Sequence, residues 1–147
     1  MIYKPDSLTD PILLFIKDDP VRPEIPLSFR IGTRTEVFVL MREGTPAAIL
    51  CSAYCDVVPQ SCEELYREPK HPNTVVFYTI WSYKPGAGVD ILLRAVADIQ
   101  LHRPTITRFV TLSPKTKMAE RFHLKNGASI YQENIDTINY EYCCNRT

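Results

Sequence analysis

The five residues Lys84-Pro85-Gly86-Ala87-Gly88 stand where an apolar run, Thr74 to Ser82, gives way to a helical pattern. A strand that runs straight into Gly-x-Gly and then a helix leaves backbone N–H groups unpaired at a positive helix end, and glycine lets a ligand approach the backbone closely. That arrangement suits a diphosphate. The glycines alone say less, because a tight strand-to-helix turn needs them for steric reasons. A Walker loop would add Gly-Lys-Ser/Thr, and a dinucleotide fold would add a third glycine and an acidic residue after the next strand; neither pattern is met. Of the three histidines, His71 lies in a proline-flanked loop and His102 ends a helix beside Arg103, so both read as structural or solvated. His123 lies on a later helix, where its ordinary reading is a residue of the helix surface. Cys51, Cys55, Cys62, Cys143 and Cys144 match no zinc spacing, so no metal is expected.

The elements that must position these residues follow from periodicity. Pro5, Pro11, Pro20, Pro23 and Pro26 leave only Ser7 to Asp19 free to carry a helix, capped by Ser7. Thr35 to Met41 and Ala47 to Val58 are β-branched or apolar runs broken by Arg42-Glu43-Gly44-Thr45-Pro46, which predicts a hairpin. Glu63 to Glu68 is one helical turn. Thr74 to Ser82 is a near-continuous apolar run, as a strand covered on both faces requires, and belongs in mid-sheet. After the glycine turn, Val89, Leu92, Leu93, Val96, Ala97 and Ile99 recur at helical spacing, with Arg94 and Asp98 outside, and the helix ends before Pro104. Ile106 to Leu112 is a second central strand. Lys115 to Lys125 is a helix with Met118, Ala119, Phe122 and Leu124 as its apolar positions and Gly127 as its C-cap. Ser129 to Tyr142 closes the chain with two short strands or one bent one.

A chain of 147 residues, 45% hydrophobic and 23% charged, holds one packed α/β domain. Residues 1–34 are expected to be an irregular or helical N-terminal part and 35–147 the core. A formal net charge of zero provides no field that would recruit nucleic acid or an anionic membrane. The only apolar run near the start, Ile12 to Ile16, is short and bracketed by charges, which implies neither a signal peptide nor a span. An odd cysteine count without a secretion signal implies reduced thiols and a cytoplasmic setting.

The turn Tyr83-Lys84-Pro85-Gly86-Ala87-Gly88 resembles the Gln/Arg-x-x-Gly-x-Gly/Ala turn of the GNAT acyltransferase superfamily, with Tyr83 in place of the usual polar first residue. Ala119 to Ala128 is similar to that superfamily's Ala-x-x-Phe-Tyr-x-x-x-Gly-Phe helix end, His123 standing at the tyrosine position. Phe77-Tyr78-Thr79-Ile80, Phe109-Val110-Thr111-Leu112-Ser113-Pro114, Arg121 to Ala128 and Asn139-Tyr140-Glu141-Tyr142 look more specifically like the catalytic domain of malonyl-CoA decarboxylases, over roughly Phe38 to Tyr142. The helix after the turn and the stretch between Ser-Pro and Phe-His-Leu are shorter here than in that family. The family's helical N-terminal domain has no counterpart within the 147 residues.

The resemblance implies an α/β fold, a central mixed β-sheet flanked by helices, and a coenzyme A thioester, acetyl-CoA or malonyl-CoA, as substrate. It places Ile80, Ser82, Tyr83 and Lys84, with Gly86, Ala87, Gly88 and Val89, at the CoA site. In the decarboxylases a histidine and a strand hydroxyl do the chemistry; matching gives His123, with Thr111 or Ser113 as the hydroxyl. A helix beginning near Lys115 puts His123 about 12 Å along it, roughly 3.6 strand residues, and so level with Phe109 to Thr111. Ser113 before Pro114 reads instead as an N-cap, which favours Thr111. Trp81 and Tyr83 are available to line the pantetheine channel, although aromatic residues on a central strand are more often core, and neither is read as catalytic. Three functions are consistent with these residues: decarboxylation of a malonyl thioester, acyl transfer to an amine or protein acceptor, and silent CoA binding. Transfer would need a base, for which Glu36, Glu43 or Asp56 are available. A small-molecule acyl-CoA is the expected partner, and a homodimer is an allowed assembly.

Overall fold

The computed structural model describes residues 1–143, so Cys144 lies outside the described residues. Its elements in chain order are β1 (Ile2–Tyr3), a 3-10 helix (Pro11–Asp18), α1 (Leu27–Arg30), β2 (Thr35–Arg42), β3 (Thr45–Cys55), α2 (Cys62–Leu65), β4 (Thr74–Ser82) and α3 (Ala87–His102). They continue with β5 (Arg108–Thr111), β6 (Ser113–Pro114), α4 (Lys117–Lys125), β7 (Ala128–Glu133) and β8 (Thr137–Tyr142). The strands form one eight-stranded sheet in the order β1-β2-β3-β4-β5-β8-β6, with β7 also on β8. β4 and β5 run parallel, and β8 runs antiparallel to β5, β6 and β7, so the sheet is mixed. The apolar run Thr74 to Ser82 is the fourth strand of the path, in mid-sheet as its composition demands.

The chain divides into two compact units, Met1–Ala53 with Tyr78–Asp98, and Tyr54–Phe77 with Ile99–Thr147. In the first, β2 and β3 pair antiparallel through a two-residue turn whose Glu43 and Gly44 have φ of 52° and 78°. Those left-handed angles match the right-handed twist of the flanking strands. Val37 to Leu40 and Ala47 to Leu50 form its core with Ile91, Leu92 and Ala95 of α3. Leu93 is 64% exposed, so the buried stripe of α3 is turned by about one residue from the apolar face read in the sequence.

The N-terminal segment is not the Ser7-capped helix expected from Ser7 to Asp19. Pro11 has no N–H and pushes Asp10 out of helical conformation, so the helix begins only at Pro11, is of 3-10 type, and is capped by the Asp10 carboxylate accepting from the Ile12 amide at 3.0 Å. It is anchored by Asp19. That buried carboxylate accepts from the amides of Val21 (2.8 Å) and Arg22 (2.9 Å), from the Thr79 hydroxyl (2.8 Å) and from the Arg30 guanidinium (2.8 Å).

In the second unit the core is Leu65, Val75, Val76, Phe77, Ile99, Ile106, Phe109, Val110, Leu112 and Tyr140. α4 packs against β7 and starts at Lys117, capped by the Thr116 hydroxyl accepting from the Ala119 amide. It ends at Asn126, and Gly127 follows at φ 98°, a left-handed angle that suits glycine. The reading of Ser113 as N-cap is therefore corrected. Ser113 and Pro114 are taken up by β8, opposite Ile138 and Thr137, because a two-residue strand tolerates a proline and the cap falls to the next hydroxyl, Thr116.

Candidate functional site

Thr111 is where β5 leaves the ladder of β8. Phe109 and Val110 pair with Tyr142 and Glu141, and the pairing resumes only at Ser113 and Pro114. In the gap the Leu112 amide donates to Phe77 of β4 (3.0 Å), and the Tyr140 amide donates to the Thr111 hydroxyl oxygen (3.1 Å). Asn139 closes the gap, donating to the carbonyls of Thr111 (2.8 Å) and Pro59 (3.0 Å) and accepting from Asn134 (2.9 Å) and Gln132 (3.2 Å). Breaks of this kind re-aim side chains, which is why they gather beside active sites. Here the break brings the Thr111 and Ser113 hydroxyls to 2.8 Å from each other, both buried.

His123 projects from α4 onto the face of β8 that carries Tyr140 and Tyr142, the face to which the register also assigns Thr111 and Ser113. α4 was expected to bury Met118 and Leu124, yet Met118 is 82% exposed and His123, at 6%, is the buried residue of the helix. The helix-surface reading of His123 therefore does not hold. Side chains alternate along a strand, so Tyr140 and Tyr142 share one face of β8 and Asn139 and Glu141 the other. The imidazole lies against both phenols, its centroid 5.0 Å from the Tyr140 ring and 5.8 Å from Tyr142, with Phe122 edge-on at 5.2 Å. Nδ1 is hydrogen-bonded to the Tyr142 hydroxyl at 2.7 Å. Burial in this aromatic surround lowers the His123 pKa to about 4, so the ring is uncharged at neutral pH. The hydrogen bond of His123 thus goes to Tyr142, while those of Thr111 and Ser113 go to each other and to the Tyr140 amide. On the opposite face, Glu141 holds Arg108 in a two-pronged ion pair, 2.9 Å on each arm.

The glycine turn belongs to the other unit. Gly86 takes φ 78°, a conformation that favours glycine, and the Ala87 amide closes the turn onto the Lys84 carbonyl at 3.2 Å. Gly88 and Val89 lie in the first turn of α3, where amides have no acceptor within the helix. Lys84 and Val89 are half-buried, Ala87 and Gly88 buried, and Ser82, Tyr83 and Gly86 exposed; Ile80, on β4, is half-buried. Asp90 adds a negative charge at this helix end, and Arg94 and Arg42, each at 2.8 Å, hold its carboxyl below the ordinary range. Tyr83 donates to Asp18 (2.9 Å) and accepts from Trp81 (3.1 Å), which ties the start of the turn to the N-terminal segment. The sequence reading missed Asp90, Arg42 and Tyr142; Asn-Tyr-x-Tyr was visible as a motif, without a sign of which tyrosine meets the histidine.

No family model and no curated protein sequence matches the chain. Among solved structures it is similar to malonyl-CoA decarboxylase from Rhodopseudomonas palustris, at TM-score 0.77 and 17% identity over 97% of this chain and 59% of that one. It is also similar to an acetyltransferase named as of the GNAT family from Desulfovibrio desulfuricans, at TM-score 0.63 and 12% identity over 96% of both chains. The chain has the GNAT fold. A Bacillus subtilis acetyltransferase in complex with CoA shares the GNAT fold, at TM-score 0.66 and 13% identity over 97% of both chains. The chain spans between 35% and 60% of the length of the decarboxylase structures it matches. In this GNAT fold no helix of the described residues is long and apolar enough to cross a membrane, and no group of three metal-ligating side chains occurs among them.

Proposed function

We propose that the chain uses an acyl-CoA thioester, with the diphosphate at the Lys84 to Gly88 turn, and that it releases CO₂ from a malonyl thioester. The observation that carries this reading is the buried, uncharged His123 with Nδ1 fixed by the Tyr142 hydroxyl at 2.7 Å. When the bond from the malonyl Cα to its carboxylate breaks, the electron pair passes into the thioester as an enolate, whose oxygen needs a donor and whose carbon needs a proton. With Tyr142 donating to Nδ1, the ring proton of His123 sits on Nε2. It is then available for the reacting group and is replaced from Tyr142 and, in the end, from solvent. The products are CO₂ and the acetyl thioester. In this reading the paired hydroxyls of Thr111 and Ser113 line the same unit and hold the strand break that sets the Tyr140 backbone.

Acyl transfer to an amine is less well supported, because the three carboxylates available as a base are ion-paired, solvated or held at low pKa. Glu36 lies 3.8 Å from the Lys4 ammonium, and Glu43 sits exposed in the hairpin turn. Asp56 accepts from the Lys70 amide at 2.9 Å, which lowers its pKa and makes it a poorer base. The test is release of CO₂ and of free CoA from malonyl-CoA and acetyl-CoA by wild type and His123→Gln, with CoA binding followed by calorimetry. The reading expects CO₂ from malonyl-CoA, reduced about 100-fold or more in the variant. CoA binding with no CO₂ release would defeat the decarboxylase reading and leave transfer or silent binding.

A further inference from the structure

Two phenols face His123 from one side of β8, and they differ in what their hydroxyls meet. Tyr142 bonds the imidazole. Tyr140 is fully buried, its ring tilted 30° against the imidazole, and its hydroxyl has no hydrogen-bond partner among the described residues. The residue is held from behind as well, since its amide is tied to the Thr111 hydroxyl. A buried hydroxyl left unsatisfied destabilises the fold, and phenylalanine would fill the same space without that cost. A donor kept at such a cost, against the ring of the candidate acid, is explained if a bound molecule completes it.

We infer that the Tyr140 hydroxyl donates a hydrogen bond to the acyl group of the bound thioester, with the thioester carbonyl oxygen as acceptor. This rests on the reading of the chain as an acyl-CoA enzyme. Burial, then the carboxylates of Glu120 and Glu133, hold the phenol above its ordinary pKa, so it remains a protonated donor across the working range. The same two carboxylates keep the proton on the phenol, so the hydroxyl can donate to the thioester carbonyl. As electron density moves onto that oxygen during loss of CO₂, the bond strengthens, which is how a fixed donor accelerates a reaction. His123 and Tyr140 then divide the work: one delivers the proton, the other holds the oxygen.

Tyr140→Phe removes only the hydroxyl. Three readouts test the inference: the thermal midpoint, the Kd for CoA, and the Kd for acetyl-CoA. The expected result is an unchanged or higher midpoint, an unchanged Kd for CoA, and an acetyl-CoA affinity weakened about three- to ten-fold. CO₂ release from malonyl-CoA should fall about 100-fold or more. A midpoint lowered by several degrees would mean that the hydroxyl has a partner within the protein, and would overturn the inference. So would Kd values for CoA and acetyl-CoA that both stay at wild-type levels in the variant. If wild type binds neither compound, the acyl-CoA reading itself falls and takes the inference with it, an outcome distinct from the other two.

Discussion

Asp19 and Tyr140 both carry polar atoms into places that water does not reach, and the chain treats them in opposite ways. Around Asp19 the carboxylate has four donors, and the Arg30 guanidinium that pairs with it also donates to the carbonyls of Ile25 and Arg22. The neighbouring Cys51 thiol, 3.5 Å from Arg30, is pushed up to about 11 by burial and stays unreactive. Around His123 the imidazole is bonded and the backbone is bonded, yet one phenol hydroxyl is left over. The Asp19 carboxylate, whose donors all come from the protein, is an anchor; the Tyr140 hydroxyl beside His123 is the donor assigned above to a ligand.

The largest effect should come from breaking the complete cluster. Arg30→Met keeps the bulk and removes the charge, stranding the Asp19 carboxylate, and should lower stability by about 3–5 kcal/mol in urea denaturation. A loss below 1 kcal/mol would show that the anchor lies elsewhere. The His123 site should answer to pH instead. Its pKa falls from 6.5 in the unfolded chain to about 4 in the folded one, so between those values the unfolded state binds more protons and stability drops with acidification. The total is roughly 3 kcal/mol, fully present above pH 6.5 and lost by about pH 4. His123→Gln should flatten that limb of the stability profile, and a limb left in place would assign it to other groups. Thr111→Val leaves the Tyr140 amide without its acceptor and should cost about 1–3 kcal/mol. Thr111→Ser should restore most of it. Gly86→Ala should show the smallest change, about 1 kcal/mol, from backbone strain at φ 78° alone, since an added Cβ meets nothing within 4 Å. The same substitution should weaken CoA binding, measured by calorimetry.

What could be read in the sequence was local. Thr74 to Ser82 is a strand because its near-continuous apolar run suits burial on both faces, and the break seen at Arg42 to Pro46 holds the two-residue turn Glu43-Gly44. The turn before α3 announces itself by its glycines. What escaped was set by distant partners. The ten residues before Pro20 gave no sign that Asp19 would meet Thr79, sixty positions away. Ser113 has the sequence of a helix cap and became a strand residue because β8 offered it a ladder. The helix from Lys117 looked amphipathic around Met118 and Leu124, and it turns its histidine inward instead because two tyrosines of β8 make the place for it. His123 was found through its motif, whereas its partner Tyr142 becomes visible only when strand alternation is laid beside the helix.

β8 is the last strand in chain order, and it is also the hub on which β5, β6 and β7 pair. Phe109 finds its partner thirty-three residues later, at Tyr142, a late and non-local closure. A partly folded chain can therefore complete the glycine turn and the β2–β3 hairpin before the surround of His123 exists. The two tyrosines that confine His123 lie on that one strand, so any state in which β8 is unpaired also lacks the aromatic surround that keeps the imidazole uncharged.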